Sequence, residues 1–165
     1  MTVLGLGHDV VDVAGFAAQL AEPGSRMRRL FSARELRQAA VRGEVKHDGE
    51  AVHLAARWAG KEAVLKAWEE ALGDNTSPYT LDDFPWSRIE ILDDRRGRPH
   101  VALAADVERV LRASVDCAGI EAACGGTVEE RGESKETIFS GEPTWHISLS
   151  HDGPIASAVV MLTVR

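Results

Sequence analysis

One stretch of the sequence, from Glu50 to Leu72, constrains the fold more than any other. It is rich in Ala, Leu, Lys and Glu, which favour helices, and Gly73 follows at a position where helices commonly end. Apolar residues occupy most sides of its central turns, a pattern typical of a helix that other elements surround. We therefore predict one long helix that is buried around most of its girth.

Shorter elements flank this helix on both sides. Apolar periodicity, turn residues and a capping box formed by Ser32 and Glu35 define their positions. The predicted helices are Val10–Leu20, Ser32 to about Val41, and Ala104–Ala113, and the predicted strands are Val3–Leu6, Ile89–Leu92, His100–Leu103, Trp145–Ser150 and Ile155–Val164. Strands and helices do not alternate regularly, and two hairpins are indicated. The pattern therefore favours a single α+β domain over residues 1–165 with an antiparallel sheet.

The segment Cys117–Glu142 differs from the rest of the chain. It is rich in Gly, Glu, Ser and Thr and includes the charged stretch Glu129–Glu136. Such a composition buries too little apolar surface to offset the entropy lost on ordering. We predict an extended, mobile insertion here. The polar stretches Gly43–Gly49 and Asp74–Trp86 are predicted to be irregular as well.

Composition and charge narrow the functional classes. The formal net charge of −7 argues against a general nucleic-acid-binding protein. No run is long and apolar enough to cross a membrane, and the first residues lack the features of a signal peptide. Cys117 and Cys124 have neither the partners nor the spacing of a zinc site or a disulfide framework. We therefore expect a cytoplasmic protein that binds neither nucleic acid nor membrane.

Positive charge is nevertheless concentrated between Gly24 and Lys46, where seven basic residues face two acidic ones. A local basic patch on an acidic protein favours an anionic partner. A solvated helix face would give the same excess of charge, so both interpretations stand at this point.

A short strand that runs through two glycines leads to Asp9. The segment Gly5–Gly7 is not a dinucleotide fingerprint, because Val10 occupies the place of the third glycine. Glycines here allow close approach of a backbone or ligand and leave a carboxylate projecting from the strand end. From these residues alone, Asp9 either caps the following helix or serves a functional site.

A second group of candidates lies on the long helix. Glu62 and Lys66 are four residues apart and share a face with Trp58. Such a pair is often an exposed, stabilising ion pair, but charges on a largely packed helix need partners or a function. His151 follows Ser150 at the end of a predicted strand, and no nucleophile elbow surrounds them to indicate a hydrolase.

Four segments in this order resemble the holo-[acyl-carrier-protein] synthase family, the small bacterial branch of the 4′-phosphopantetheinyl transferases: Gly5–Asp9, Ala55–Ala67, Gly97–Pro99 and His146–His151. The resemblance covers most of the chain outside Cys117–Glu142. It implies an antiparallel sheet packed on a long helix, and a homotrimer with coenzyme A sites between subunits. The implied reaction transfers 4′-phosphopantetheine from coenzyme A to a serine of an apo-acyl carrier protein, as in fatty acid biosynthesis, and releases adenosine 3′,5′-bisphosphate.

The resemblance also implies roles for single residues. Asp9 and Glu62 match magnesium-binding carboxylates, and Lys66 matches a lysine near the transferring phosphate. The positions around the coenzyme are matched by Arg57, Lys61, Gly97, Pro99, Ser150 and His151. Magnesium suits such a site because it takes one or two carboxylates together with phosphate oxygens and waters. Either Glu62 or a water on the metal would take the proton of the carrier serine, and the sequence leaves both routes open.

Two departures limit what the resemblance implies. Family members often carry arginines on the first helix, where the carrier docks, but Val10–Leu20 has none. A glycine-rich turn often follows the lysine helix in the family, whereas Asp74–Pro85 stands here. Two further functions stay open at this point: a non-catalytic carrier-binding module, and a magnesium-dependent hydrolase of a nucleotide pyrophosphate.

Overall fold

The computed structural model describes residues 1–123 and 141–165, with the side chains of 116–123 left aside. Its helices are α1 (Val13–Ala21), α2 (Ala33–Lys46), α3 (Glu50–Leu72) and α4 (Ala105–Ala123), and its strands are β1 (Thr2–Asp12), β2 (Ile89–Asp93), β3 (Pro99–Leu103), β4 (Thr144–Asp152) and β5 (Ile155–Val164). Short 3₁₀ turns lie at Met27–Leu30 and Trp86–Arg88. The long helix thus has the bounds that the sequence predicts.

The strands form two antiparallel sheets. In the larger one β5 lies between β1 and β4, and β2 pairs with β3 in a separate hairpin. Apolar residues of β5, such as Val160 and Leu162, are buried in one core with Ala63 and Val64 of α3. The predicted α+β class, with an antiparallel sheet packed on a long helix, is confirmed.

Two glycines bring β1 unusually close to α3. A Cβ atom on Gly5 would lie 2.0 Å from the carbonyl oxygen of Ala67, and one on Gly7 would lie 1.9 Å from that of Ala63. Because these contacts are far shorter than van der Waals distances, only glycine fits at either position. This backbone-to-backbone packing fixes β1 across the middle of α3 and sets the position of Asp9.

The first two helices begin or end later than predicted. β1 continues to Asp12, which caps α1 by accepting a hydrogen bond from the Gly15 amide at 2.8 Å. Asp9 therefore lies within a strand and does not cap a helix. α2 begins at the predicted capping box of Ser32 and Glu35 but continues to Lys46, so most of the predicted loop Gly43–Gly49 is helical.

The region after the β2–β3 hairpin also differs from the prediction. α4 extends to Ala123, well beyond the predicted end at Ala113, so residues 117–123 of the predicted insertion are helical. The remainder of that insertion lies mostly outside the described residues, and its mobility stays a prediction.

Within residues 1–123 and 141–165, none of the helices has the length and apolarity to cross a membrane.

Candidate active site

The three predicted catalytic side chains meet where β1 crosses α3. The ammonium group of Lys66 donates to the Asp9 carboxylate at 2.7 Å and to the backbone oxygen of His8 at 3.1 Å. Glu62 lies one turn earlier on α3, on the same face as Lys66. The close packing of Gly7 on Ala63 thus brings Asp9 opposite Glu62 and Lys66.

Asp9 and Glu62 line one open groove of about 650 Å³. Its walls come from β1, α1, the 3₁₀ turn Met27–Leu30 and α3. The apolar part of the lining consists of Val10, Val11, Phe16, Met27, Leu30 and Trp58. The carboxylates of Asp9 and Glu62 therefore stand beside an apolar trough that is open to solvent, as does that of Asp12, which caps α1.

The electrostatics of this groove favour a cation. Burial raises the pKa of Glu62, the negative charge of Asp9 raises it further, and Lys66 opposes both effects. The side chain of Lys66 is 48% exposed, whereas that of Asp9 is 16% exposed. A half-exposed lysine can move towards a bound anion, while the less exposed carboxylate stays in place.

Arg57 and Lys61, predicted to contact coenzyme A, have partners inside the chain. Arg57 is buried and donates to the carboxylate of Asp93 at 2.8 Å. Lys61 is completely buried and pairs with the equally buried Glu35 at 3.0 Å. The geometry of one chain therefore does not support a direct contact of either side chain with coenzyme A.

The remaining predicted coenzyme residues lie at different places in the described part of the chain. Gly97, at φ +75°, forms the β2–β3 turn beside Arg42, whose guanidinium donates to its carbonyl at 3.2 Å. Pro99 lines a separate open cavity of about 760 Å³ between β3 and β4. Ser150 and His151 lie at the far end of β4, where the His151 ring packs edge-on against His53 at 5.5 Å.

The sequence alone predicts neither the groove walls nor the partner of Lys61. Phe16 falls within the predicted helix Val10–Leu20, whereas Met27 and Leu30 fall between predicted elements. An apolar residue in or near a helix is usually part of the core, so the sequence does not indicate that these residues line a groove. Glu35 was recognised only as a capping residue, although its carboxylate also reaches the interior.

A family model described as the 4′-phosphopantetheinyl transferase superfamily matches residues 5–118. A holo-[acyl-carrier-protein] synthase from Bifidobacterium animalis subsp. lactis is 55% identical over 166 residues, covering 99% of each protein. A holo-[acyl-carrier-protein] synthase from Corynebacterium glutamicum is 32% identical and covers 99% of this chain and 100% of the relative.

The fold is also similar to solved structures. A structure described as an ACPS–CoA complex from Chronobacterium ammoniagenes superposes with a TM-score of 0.73 at 31% identity. The match covers 98% of this chain and 97% of the other. The similarity thus extends over both sheets and all four described helices, and it includes the strand and helix that carry Asp9, Glu62 and Lys66.

Proposed function

The chain belongs to the 4′-phosphopantetheinyl transferase superfamily, and we propose that Asp9 and Glu62 hold the magnesium ion with which it works. The enzyme is a holo-[acyl-carrier-protein] synthase: it transfers 4′-phosphopantetheine from coenzyme A to a serine of an apo-acyl carrier protein. The observation that carries the site assignment is that Asp9 and Glu62 line one groove and that Lys66 pairs with Asp9.

The residues at this groove fit magnesium. The carboxylates of Asp9 and Glu62 face the same space, and the pKa of Glu62 is raised first by burial and then by the negative charge of Asp9, while Lys66 opposes the shift. Among the described residues, no cluster of three or more His, Cys, Asp or Glu is arranged to hold a metal. Magnesium needs only one or two carboxylates when phosphate oxygens and waters complete its octahedron. The donor set thus suits magnesium bound together with a pyrophosphate.

The chemistry needs no nucleophile from this chain. The carrier serine oxygen forms a bond to the phosphorus that bears pantetheine, and the bond from that phosphorus to adenosine 3′,5′-bisphosphate breaks. Magnesium, when bound, would offset the negative charge that builds on the leaving phosphate. Lys66 places a second positive charge at the transferring phosphoryl group. Either Glu62 or a water that it orients accepts the proton of the serine hydroxyl.

We assign the apolar trough beside the two carboxylates to the carrier and call it the carrier groove. It consists of Phe16, Met27, Leu30, Trp58 and the adjoining part of β1. It opens directly at Asp9 and Glu62, so a serine entering along it would reach the transferring phosphate. None of Gly97, Pro99, Ser150 and His151 lines this groove. The coenzyme would therefore approach the carboxylates from another side.

A homotrimer is the proposed assembly. The outer face of the larger sheet exposes Leu6 and Val159 by 54 and 43%, and no element among the described residues covers it. An exposed apolar face of this kind favours association with other subunits. Subunit contacts there would also join coenzyme residues that one chain keeps apart. Light scattering of the purified protein would detect the trimer, and a monomeric mass would contradict it.

The cytoplasm is the proposed location, because two cysteines without disulfide spacing suit a reducing compartment.

Incubation with coenzyme A and magnesium, with and without apo-acyl carrier protein, tests the function. Mass spectrometry should show a gain of one phosphopantetheine on the carrier, and adenosine 3′,5′-bisphosphate should form only when the carrier is present. Release without carrier would indicate a hydrolase, and no release at all would indicate a binding module.

A further inference from the structure

Lys61 occupies the most enclosed position of any charged residue on α3. It is completely buried, and its ammonium group donates to the backbone oxygens of Trp86, at 2.6 Å, and Ile89. Its third partner is the Glu35 carboxylate at 3.0 Å. Three acceptors match the three hydrogens of an ammonium group, so the buried charge is fully satisfied.

Glu35 is equally buried and equally satisfied. One carboxylate oxygen accepts from the Ile91 amide at 3.0 Å, and the other accepts from the Ser32 amide at 2.8 Å. The pair of Glu35 and Lys61 therefore joins the start of α2, the middle of α3 and the first part of β2. Such a pair holds its partners at fixed distances and angles, which apolar packing does not do.

The same ammonium group holds two aromatic residues that enclose Trp58. The Trp58 ring lies between Phe31, with centroids 6.3 Å apart, and Trp86, with centroids 4.8 Å apart. Lys61 binds the backbone of Trp86 directly and lies 5.6 Å from the centroid of the Phe31 ring. We refer to Phe31, Trp58 and Trp86 as the aromatic clamp.

One residue of the aromatic clamp, Trp58, also forms part of the wall of the carrier groove. Trp58 is half-buried and lines that groove together with Glu62, which lies one turn further along α3. A shift of Trp86 or Phe31 would therefore move a wall of the groove without moving Asp9 or Lys66. The buried ion pair and the groove wall are thus connected through specific contacts.

We propose that Glu35 and Lys61 are positioning residues that hold the Trp58 ring as a wall of the carrier groove. The pair thereby sets the affinity for the carrier rather than the affinity for coenzyme A. This inference rests on the proposed function, because it assumes that the carrier enters along this groove.

Kinetics of two variants test the proposal. Glu35→Gln keeps the shape of the side chain and one oxygen for the Ile91 amide but removes the negative charge, and Lys61→Met removes all three hydrogen bonds to Trp86, Ile89 and Glu35. We expect both variants to raise the KM for the carrier about tenfold, equivalent to about 1.4 kcal/mol of lost binding, because a displaced wall makes poorer contact with the carrier. The KM for coenzyme A and kcat at saturating carrier should stay within about twofold.

A rise in the KM for the carrier could also follow from a general loss of folding stability, so a control variant separates the two causes. Leu111→Ala, in the buried part of α4, a helix that contributes none of the clamp residues, is the matched control, because it destabilises by leaving a cavity. Urea unfolding ranks the three variants by stability. The control should keep the wild-type KM for the carrier even where it is the least stable of the three.

A double-mutant cycle identifies the route. Trp58→Leu should itself raise the KM for the carrier, and adding Glu35→Gln should then cause little further change, because both act on one wall. Additive effects in the cycle, or a carrier KM that follows stability in all variants including Leu111→Ala, would overturn the proposal. A rise in the KM for coenzyme A instead would return Lys61 to the coenzyme site. Wild-type protein that transfers nothing would refute the proposed function itself.

Discussion

Asp9 and Glu62 supply the negative charge that the proposed magnesium ion requires. Asp9→Asn and Glu62→Gln each remove an anionic oxygen while leaving no cavity, so we expect turnover to fall at least ~10²-fold and folding to survive. Rates of transfer to apo-carrier at limiting magnesium measure the loss. Glu44→Gln, at an exposed position of α2, is the control and should keep the wild-type rate. Near-normal rates in both site variants would contradict the assignment.

The pH dependence of Glu62 follows from its surroundings. Burial and the charge of Asp9 raise its pKa, so the protein keeps it protonated up to a higher pH than an ordinary glutamate. Only the ionised form binds a cation well. The apparent affinity for magnesium should therefore decline as pH falls through this raised pKa. Asp9→Asn removes one cause of the shift and should lower the pKa of Glu62.

The contribution of Glu62 to folding stability should decrease as pH rises, whereas its contribution to magnesium affinity should increase. As pH rises above the ordinary glutamate pKa, the unfolded chain ionises Glu62 while the folded protein resists. The contribution of this group to stability is therefore lost as pH rises towards the raised pKa. Glu62→Gln should remove that loss, so the variant should gain stability relative to wild type as pH increases. Urea unfolding at a series of pH values measures this, and parallel curves for the two proteins would contradict it.

At the scale of the elements, the contact between β1 and α3 leaves no room for a larger residue in place of its glycines. Gly7→Ala would place a Cβ atom 1.9 Å from the carbonyl oxygen of Ala63, and no side-chain rotation can relieve a clash with backbone. We expect a loss of at least ~2 kcal/mol in the free energy of unfolding, as in overpacked cores. Transfer activity of the folded fraction should fall too, because β1 carries Asp9. Thr2→Ala, at an exposed end of the same strand, should change neither quantity.

Elements that follow from local sequence were predicted well. The bounds of α3 follow from helix-forming composition and from Gly73, and the start of α2 follows from the capping box of Ser32 and Glu35. The end of α2 was predicted too early because Gly43 looks like a helix terminator. In the structure Gly43 packs against the backbone of Gly49, where a Cβ atom would come within 2.5 Å. Tertiary packing therefore outweighs local propensity there.

The candidate site likewise has a part that the sequence predicts and a part that only the fold reveals. Asp9, Glu62 and Lys66 were identified through a sequence motif, and the structure brings them together. The burial of Lys61 could not be inferred locally, because its acceptors come from residues 35, 86 and 89, far away along the chain. The groove walls arise likewise from four separate segments. Long-range contacts of this kind are visible only in the folded molecule.

At the scale of the whole molecule, charge is distributed unevenly along the chain. The protein has a net charge of −7, yet basic residues are concentrated between Gly24 and Lys46. Within that stretch Arg28 pairs with Glu50, and Arg34 pairs with Glu90, so their charges are partly balanced. Arg29 is exposed and lies next to Leu30, a residue of the groove wall. We therefore expect Arg29 to contribute most to attracting an acidic carrier.

Charge reversal at Arg29 tests this expectation. Acyl carrier proteins are acidic, so Arg29→Glu should raise the KM for the carrier through slower association, while the KM for coenzyme A stays unchanged. The effect should be largest at low salt, because the Debye length is about 8 Å at physiological ionic strength and about 30 Å at 0.01 M. Arg109→Glu, exposed on α4, changes the net charge equally and should have a much smaller effect. Equal effects of the two reversals would show that only net charge matters. A rise in the KM for coenzyme A in Arg29→Glu alone would instead assign the arginine to the coenzyme phosphates.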